Sequence, residues 1–420
     1  MKAGPPQSAV RARSAPDSVH LTELRLFVEE ICYSLCRFQH VVQEGRAPED
    51  VRIGQEVALG TPGAFADIRV SVRGAPAYFL EVKYGYPRDI IVRHMKRKYG
   101  SATAVTRQAS KVVLVVDTHT ADESPGLESD VRGCLHAGLG LEVWNEAHLA
   151  ALIRERFGIR IDTIDEHTVN DLRTALDDAI GRYAFGDAYT NDPLQSALLW
   201  HFGFWRLREL RDTHGLAAST IMPPGSYTGV AVLVADLCSF SSYMRDTADD
   251  AVIRRVLTSF YLKARNQVLD TGGVIYQFQG DAVLALYGLP DRRDGYVHDA
   301  LRCAQAFIDI GNSTANEWQR QIDHVQSAAG THIGLAVGDL QIVPLRPFAH
   351  APIGALADSI NMAARLTAAA GPNEIVVSNA FFQRLPEASQ NDFQEMEPME
   401  ARNIGRVKAW RLSAPTPTGN

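Results

Sequence analysis

Two aspartates, Asp236 and Asp281, stand where their carboxylates could bind metal ions. In the segment GVAVLVADLCSF an apolar run typical of a buried strand ends at Asp236, and in GGVIYQFQGDAVLALYG the tip of a predicted hairpin carries Asp281. Carboxylates at the ends of neighbouring strands often meet, and two of them can hold one or two divalent cations on a triphosphate. The alternative is that Asp281 only completes a Gly-Asp turn, where aspartate is common.

Asn361 and Arg365 form a second pair with chemical potential. They are four residues apart in ADSINMAARLTAAAG, a strongly helical segment, so both side chains should project from one helix face. An arginine there could neutralise charge that develops on a phosphorus atom, and an asparagine could orient a sugar ring. Taken alone, the pair is equally compatible with a solvated helix face.

The chain that must position these residues is long enough for more than one domain. At 420 residues, two domains and a connector are expected. The connector is predicted to be helical because Asp192 and Pro193 form a helix start that precedes an apolar, aromatic band. We predict a disordered tail over 1–18, an α/β domain over 19–164, a helical connector over 165–222, a second domain over 223–412 and a tail over 413–420.

Composition and charge exclude several classes of protein. The net charge of −7 argues against a protein that coats nucleic acid by bulk electrostatics. The five cysteines are scattered and lack metal-ligand spacing, which indicates a reducing compartment. The sequence has neither an apolar run of membrane-spanning length nor the apolar core of a signal peptide. We therefore expect a cytoplasmic protein with no membrane partner.

In their order and spacing, the strand aspartate, the hairpin Gly-Asp and the Asn-x-x-x-Arg resemble the class III nucleotidyl cyclase catalytic domain. The resemblance extends over about residues 226–412 and includes the segment HIGLAVGDLQIV and the closing AWRL. It implies an α+β fold with a ferredoxin-like βαββαβ core, preceded here by the α/β domain and the helical connector. It also implies a nucleoside triphosphate substrate and a homodimer with two active sites at its interface.

The resemblance also implies a role for each site residue. Asp236 and Asp281 would hold two Mn²⁺ or Mg²⁺ ions, with the carbonyl of Leu237 as a further ligand. Asn361 would hold the ribose and Arg365 would stabilise the α-phosphate, both contributed by the opposite protomer. The remaining positions, which would line the nucleotide, are Phe240 and Ser241.

One part of the family pattern is missing from the sequence. The family usually has a lysine before its final strand that contacts the triphosphate, and the stretch EARNIGRVKAW has none at that place. Arg402, Arg406 or Lys408 could substitute, and the sequence does not decide among them. A nucleotide-binding regulator without turnover is the alternative that this absence favours.

The positions that read the base depart from both purine patterns. Adenylate cyclases usually have lysine four residues before the second aspartate and guanylate cyclases have glutamate, whereas this chain has Gln277. The partner position, seven residues before the asparagine, is Gly354. A glutamine amide offers both a donor and an acceptor, so it can pair with the O4/N3–H edge of uracil or, flipped, with cytosine.

This departure resembles the pyrimidine cyclases of the bacterial Pycsar anti-phage systems. The resemblance implies synthesis of cyclic UMP or cyclic CMP after infection, and a separate effector that is activated by the messenger and not by stable contact with the enzyme. We favour UTP as the substrate over CTP. The alternative hypothesis is that the protein is a bacterial adenylate cyclase with an atypical base pocket.

The N-terminal domain has a short acidic and basic pattern of its own. Asp67 lies on one predicted strand, and Glu81 and Lys83 lie on the next, on the same face of that strand. This resembles the Asp…Glu-x-Lys signature of restriction-endonuclease-like domains, in which Glu56 could be a further metal ligand. The alternative is an exposed hairpin with a surface ion pair.

The segment RHMKRKYG, which follows this pattern, concentrates basic residues at positions 93–98. They could contact nucleic acid or a phage component, or they could form a solvated helix face. We expect this domain to be a sensor or regulatory domain that acts on the catalytic dimer through the connector.

Overall fold

The computed structural model describes residues 15–118, 120, 126–165, 167–214, 221–322, 328–343, 354–401 and 405–413. The helices of the first half are α1 (Ala15–Arg37), α2 (Arg88–Tyr99), α3 (Leu127–Cys134), α4 (Glu146–Phe157), α5 (Val169–Phe185), α6 (Pro193–Phe202) and α7 (Phe204–His214). Its strands are β1 (Val51–Ala58), β2 (Phe65–Val72), β3 (Ala77–Val82), β4 (Ala109–Val115) and β5 (Gly140–Trp144).

The N-terminal strands form one sheet in the order β1-β2-β3-β4-β5. The first three pair antiparallel, and β3, β4 and β5 pair parallel. Helix α2 makes the crossover between β3 and β4, as a parallel connection requires. Its apolar residues Ile91 and Met95 are fully buried against the sheet. The strands that carry Asp67 and Glu81 are therefore central in this sheet.

Helices α5, α6 and α7 connect this sheet to the second half of the chain. Asp192 caps α6 by accepting a hydrogen bond from the backbone N–H of Gln195 at 2.9 Å, and Pro193 occupies the first turn. Gly203, with a positive φ of 73°, separates α6 from α7. Within the apolar band of these helices Leu198, Phe202 and Trp205 are buried, whereas Trp200 is exposed.

The second half forms a sheet in the order β12-β15-β11-β9-β6-β8-β7, with β10 paired to β9. Its strands are β6 (Gly225–Leu237), β7 (Val274–Gln279), β8 (Ala282–Tyr287), β9 (Thr331–Val343), β10 (Gly354–Leu356), β11 (Glu374–Ser378), β12 (Gln394–Glu395) and β15 (Ala409–Ser413), beside a separate pair, β13 (Met399–Ala401) and β14 (Gly405–Val407). Its helices are α8 (Phe240–Asp246), α9 (Asp250–Asp270), α10 (Tyr296–Ile322), α11 (Asp358–Ala369), α12 (Asn379–Phe382) and α13 (Glu387–Gln390).

The succession β6-α9-β7-β8-α10-β9 is the βαββαβ core that the sequence predicts. Helices α9 and α10 cover one face of this sheet with Phe260, Phe307 and other buried side chains. The opposite face belongs to a second buried group of residues that includes Leu366 of α11 and Phe202 of α6 and extends to Ile31 of α1. The N-terminal domain, the connector and the second sheet therefore share a continuous core.

Hydrogen bonds reinforce the contact between the two halves. The backbone N–H of Ile53 donates to Asp270 Oδ2 at 3.0 Å, and that of Ala58 donates to Asp309 Oδ2 at 3.1 Å. Arg37 is fully buried and pairs with Asp270. A buried pair of this kind ties strand β1 and helix α1 to helix α9, because separating the partners would leave charges unpaired in the core.

No helix within the described part of the chain is both long enough and apolar enough to cross a bilayer.

Candidate active site

The structure brings the carboxylates of Asp236 and Asp281 together. The register pairs Ala235 of β6 with Val283 of β8, so the end of β6 lies beside the Gly-Asp tip of the β7–β8 hairpin. Asp281 is half-buried, and burial, a hydrogen bond to the Asp236 side chain and the charge of Asp236 together raise its pKa to about 7. Hydrogen bonds from backbone N–H groups of Asp281 and Leu237 oppose this rise. Two carboxylates that repel each other in this way fit a divalent cation, which would relieve the repulsion.

The raised pKa of Asp281 predicts how stability depends on pH without metal. Its pKa is about 7 in the fold against 3.8 ordinarily, so between these values the folded state binds the proton more tightly than the unfolded chain does. Folding stability at this site should therefore fall as the pH rises from about 4 to about 7. In EDTA, Asp281→Asn should gain melting temperature relative to the wild type over that interval. If the difference in melting temperature between Asp281→Asn and the wild type did not change over this pH interval, the contact between the two carboxylates would be contradicted.

The turn after β6 holds the other predicted metal and nucleotide positions. Leu237 ends the strand with a buried side chain, and Ser239 adopts a positive φ of 60° that starts α8. The Ser239 hydroxyl donates to the Ala328 carbonyl at 2.9 Å, which fixes the turn. Phe240 packs edge-on against Trp318 at 6.0 Å between ring centroids, whereas Ser241 is exposed. Of these two, Ser241 is the better placed for a ligand, and the role of Phe240 stays a prediction.

Segments carrying the two predicted base-reading positions lie in contact within one chain. Gln277 is exposed on β7, and Gly354 is buried at the start of β10. The backbone N–H of Ala355 donates to the Tyr276 hydroxyl at 3.0 Å and so ties β10 to β7. Sequence reasoning missed Tyr276, because nothing in its local pattern indicates a partner 79 residues away. The amide of Gln277 makes no side-chain hydrogen bond to a described residue and is available to a ligand.

Helix α11 presents Asn361 and Arg365 away from its own sheet. Its sheet-facing side carries Ala363, Leu366 and Thr367, which are buried. The Thr367 hydroxyl donates to the Val234 carbonyl at 3.2 Å. The helix approaches β9 closely enough that a Cβ at Gly334 would lie 2.1 Å from the Ala363 carbonyl oxygen, so glycine is required there.

The outward side of α11 carries the two polar residues of the predicted site. Asn361 is exposed and lines a surface cavity of about 500 Å³. Neither Asp236 nor Asp281 lines this cavity. Arg365 has a buried Nη1 that no described residue accepts a hydrogen bond from. The aspartate pair and Asn361 therefore do not share one cavity within the chain.

The candidates for the missing triphosphate lysine differ in their surroundings. Lys408 forms an ion pair with Glu395 at 3.0 Å, and its ammonium lies 4.8 Å from the ring centroid of Trp410. Arg406 lies on β14 with an exposed side chain. Arg402 falls outside the described residues. The ammonium group of Lys408 is thus already paired with a carboxylate within the fold.

In the N-terminal sheet, Asp67, Glu81 and Lys83 form one buried cluster. Lys83 Nζ lies 2.8 Å from Asp67 Oδ2 and 2.7 Å from Glu81 Oε2. Glu81 is 0% exposed and Lys83 is 5% exposed, so the alternative of an exposed surface pair is wrong. Central strands of a sheet that is covered on both faces exclude most of the solvent that a surface pair would contact.

Two residues of α2 complete this cluster, and sequence reasoning missed their placement. Lys98 Nζ lies 3.0 Å from Asp67 Oδ1 and 2.5 Å from Glu81 Oε2, and the Tyr99 hydroxyl donates to Glu81 Oε1 at 2.7 Å. Although burial opposes it, the ammonium groups of Lys83 and Lys98 hold the pKa of Asp67 well below its usual value. Two carboxylates are therefore balanced by two ammonium groups.

Glu56 does not join this cluster, so its prediction as a further ligand there is wrong. Its carboxylate pairs with Lys263 of α9 and accepts a hydrogen bond from the Ser313 hydroxyl of α10 at 2.6 Å. Both partners lie in the other half of the chain, and the ammonium group of Lys263 balances the charge of the Glu56 carboxylate. Glu56 therefore joins the two halves of the molecule.

Comparison with known proteins addresses the second half of the chain. Residues 222–414 match the family model of the adenylate and guanylate cyclase catalytic domain. Uncharacterized proteins of Mycobacterium bovis and Mycobacterium tuberculosis are each 29% identical over 188 residues, which are 44% of this chain and 32% of theirs. The chain thus spans about a third of the length of these curated relatives.

Solved structures of cyclase domains resemble part of this chain. The adenylyl cyclase CyaB from P. aeruginosa is 16% identical with a TM-score of 0.39, covering 46% of this chain and 100% of that one. The guanylyl cyclase Cya2 is 18% identical with a TM-score of 0.39, covering 47% and 98%. The family match confirms the predicted fold class and, over 222–414, the resemblance on which it was based.

Proposed function

We propose that this protein, whose residues 222–414 match the family model of the adenylate and guanylate cyclase catalytic domain, converts UTP to 3',5'-cyclic UMP and diphosphate. The proposal rests on one observation. The side chains of Asp236 and Asp281 contact each other at the tip of the β7–β8 hairpin, and Gln277, four residues before Asp281 on β7, has an exposed amide. The first two residues provide a site for cations on a triphosphate, and the third offers hydrogen bonds to a base.

The aspartate pair, with the Leu237 carbonyl, would hold two divalent ions, Mn²⁺ or Mg²⁺. Such ions, when bound, lower the pKa of the ribose 3'-hydroxyl and neutralise charge on the triphosphate. The chain's own residues supply the remaining chemistry. Arg365 would donate hydrogen bonds to the α-phosphate as the 3'-oxygen attacks phosphorus in line and diphosphate leaves. Asn361 would fix the ribose, so that the attacking oxygen is held in line.

A homodimer would complete the site. Asn361 and Arg365 project from the side of α11 that faces away from their own sheet, and Arg365 Nη1 has no acceptor among the described residues. A second copy related by two-fold symmetry would place these residues over the partner's aspartate pair and receive the same in return. Each dimer would then have two active sites.

The choice of base rests on Gln277. Its amide can donate to O4 and accept from N3–H of uracil, whereas the lysine or glutamate typical of purine cyclases is absent. CTP is the first alternative substrate because a flipped amide also matches cytosine. ATP is the second, in which case the base pocket of an adenylate cyclase has changed.

The biological role that we propose is synthesis of a second messenger in anti-phage defence. The effector would be activated by the cyclic nucleotide and not by stable contact with the enzyme. Residues 19–164 would act as a sensor or regulatory domain, with 165–222 as the connector to the catalytic domain. The continuous core through all three parts supports such coupling, since movement of one part must disturb the packing of the others.

Replacing Gln277 tests base recognition. Gln277→Ala should lower kcat/KM for UTP by about 10- to 100-fold, the usual effect of deleting a hydrogen-bonding group that reads a substrate. The ratio of UTP to ATP turnover should fall with it. Gln394→Ala, at an exposed glutamine on β12 of the same sheet, should change neither value. An equal loss with all triphosphates would contradict a role in reading the base.

A further inference from the structure

A cavity of about 480 Å³ lies between the N-terminal domain and the catalytic domain. One wall is built from α1, the ends of β2 and β3, and α2, and the other from α9 and α10. This volume is in the range that small-molecule sites occupy. The cavity is separate from the proposed active site, because neither Asp236 nor Asp281 lines it.

The charge of the lining is unbalanced. Seven lysines and arginines line the cavity against four aspartates and glutamates, an excess of three positive charges. One of the four, Glu29, has its pKa raised to about 7 by burial, although Lys263 opposes the rise, so it adds little negative charge near neutral pH. His94 on the same lining has a lowered pKa because of burial and the positive charges of Lys83 and Lys98, among others.

Three of the cationic groups are already neutralised within the fold. Lys83 and Lys98 pair with Asp67 and Glu81, and Lys263 pairs with Glu56. With these lysines paired, the four arginines of the lining face only two further carboxylates, Glu29 and Glu317, and supply the remaining excess of two positive charges.

The four arginines have no carboxylate partner among the described residues. On the N-terminal wall, Arg25 donates to the Tyr86 hydroxyl at 3.1 Å and to the Tyr84 carbonyl at 3.0 Å, and Arg97 donates to the Pro62 carbonyl at 3.3 Å. These acceptors are neutral and leave the guanidinium charges uncompensated.

The opposite wall carries the other two arginines. Arg255 of α9 has Nε and Nη2 buried without a hydrogen-bond acceptor in the described part of the chain, and Arg320 of α10 makes no ion pair there. A buried donor without an acceptor is costly, so a ligand that offers anionic oxygens would gain both charge and hydrogen-bond complementarity at Arg255.

We propose that this cavity binds a small phosphorylated molecule of about nucleotide size. Guanidinium groups bind phosphate oxygens in a bidentate manner. Arginines on two opposite walls of the cavity therefore suit a ligand with more than one phosphate group. Arg25 lies over the ring of Tyr86 at 4.1 Å, which holds its guanidinium group at the wall of the cavity. This inference is independent of the reaction proposed above.

Binding there would act on the catalytic domain through α9. This helix lines the cavity through Arg255 and ends at Asp270, four residues before the strand that carries Gln277. A ligand that joins α2 to α9 would therefore stabilise the contact between the two domains. The cavity is thus a site through which a phosphorylated metabolite or signal would regulate the enzyme.

Calorimetric titration of the full chain with inorganic pyrophosphate in EDTA tests the proposal. EDTA removes the divalent ions that the active site would need, whereas the arginines need none. We expect one binding event per chain that Asp236→Ala leaves intact. Arg255→Ala on one wall and Arg97→Ala on the other should each weaken it by at least about tenfold.

Each of these variants has a neighbouring control on the same helix. Arg254 and Lys96 are exposed and do not line the cavity, so Arg254→Ala and Lys96→Ala should bind pyrophosphate as the wild type does. Thermal melting verifies that all variants fold, and Arg97, which is exposed, is the safer of the two lining variants.

Three results would overturn the proposal. The first is no binding of pyrophosphate, and the second is binding that the control variants weaken as much as the lining variants do. The third is tighter binding of a 5'-phosphorylated DNA duplex than of pyrophosphate with the same dependence on Arg255 and Arg97, which would assign the surface to nucleic acid.

Discussion

Asp236→Ala should lower the rate of cyclisation of every nucleoside triphosphate by at least about 1000-fold, because it removes half of the carboxylate set that would hold the cations. Removing one member of a cation site leaves the 3'-hydroxyl at its ordinary pKa and the triphosphate charge unscreened. The loss should therefore appear in kcat at saturating substrate and metal. The measurement is the initial rate of cyclic nucleotide formation with Mn²⁺.

The fold should survive this substitution. Asp236 lies at the end of β6, and its removal relieves the repulsion with Asp281, so the melting temperature in EDTA at pH 8 should be unchanged or higher. Asp392→Ala, at an exposed aspartate outside the site, is the matched control and should keep full activity. A folded Asp236→Ala protein with more than about a tenth of wild-type activity would contradict the assignment of the metal site.

Arg365→Ala should be nearly as damaging, with a loss of about 100- to 1000-fold, since it removes the charge that would stabilise the α-phosphate. If Arg365 acts on the partner's aspartate pair, two inactive variants should restore each other. In a mixture of Asp236→Ala and Arg365→Ala chains that exchange freely, about half the dimers are mixed and each has one intact site. Activity should then return to about a quarter of the wild-type rate.

A second mixture serves as the control for this experiment. Asp236→Ala and Asp281→Ala damage the same half-site, so every site in their mixed dimers lacks an aspartate and no activity should return. If the Asp236→Ala and Arg365→Ala mixture also stays inactive while mixed dimers form, then both residues serve a site within one chain, and the proposed sharing of the site between protomers is wrong.

The elements that carry the candidate active site were predictable because their signals are local. Patterns only a few residues long predict the strand that ends near Asp236 and the hairpin whose tip carries Asp281. In the structure β6 ends at Leu237, and the turn between β7 and β8 contains Asp281. The helical spacing of Asn361 and Arg365 likewise falls within α11. The sequence did not predict which side of α11 faces the sheet, because that orientation depends on the packing of the helix over Gly334.

The parts that were missed depend on distant partners. Strand β1 was not predicted because Gln55 and Glu56 break the apolar alternation, and they do so because they face Asn266 and Lys263 of α9. These partners are more than 200 residues away along the chain. The role of Lys98 was missed for the same reason. In the sequence it is part of a basic helical segment, whereas in the structure it pairs with the distant carboxylates of Asp67 and Glu81.

The central claim is that this chain cyclises a pyrimidine nucleotide, and one competition assay tests it most directly. The purified full chain is incubated with Mn²⁺ and equal concentrations of ATP, GTP, CTP and UTP, and the cyclic products are resolved by mass spectrometry, with Asp236→Ala as the blank. Our account predicts that cyclic UMP dominates. A dominant cyclic CMP peak would keep the pyrimidine site and correct the base. Dominant cyclic AMP or cyclic GMP, or no cyclic product at all, would contradict the claim.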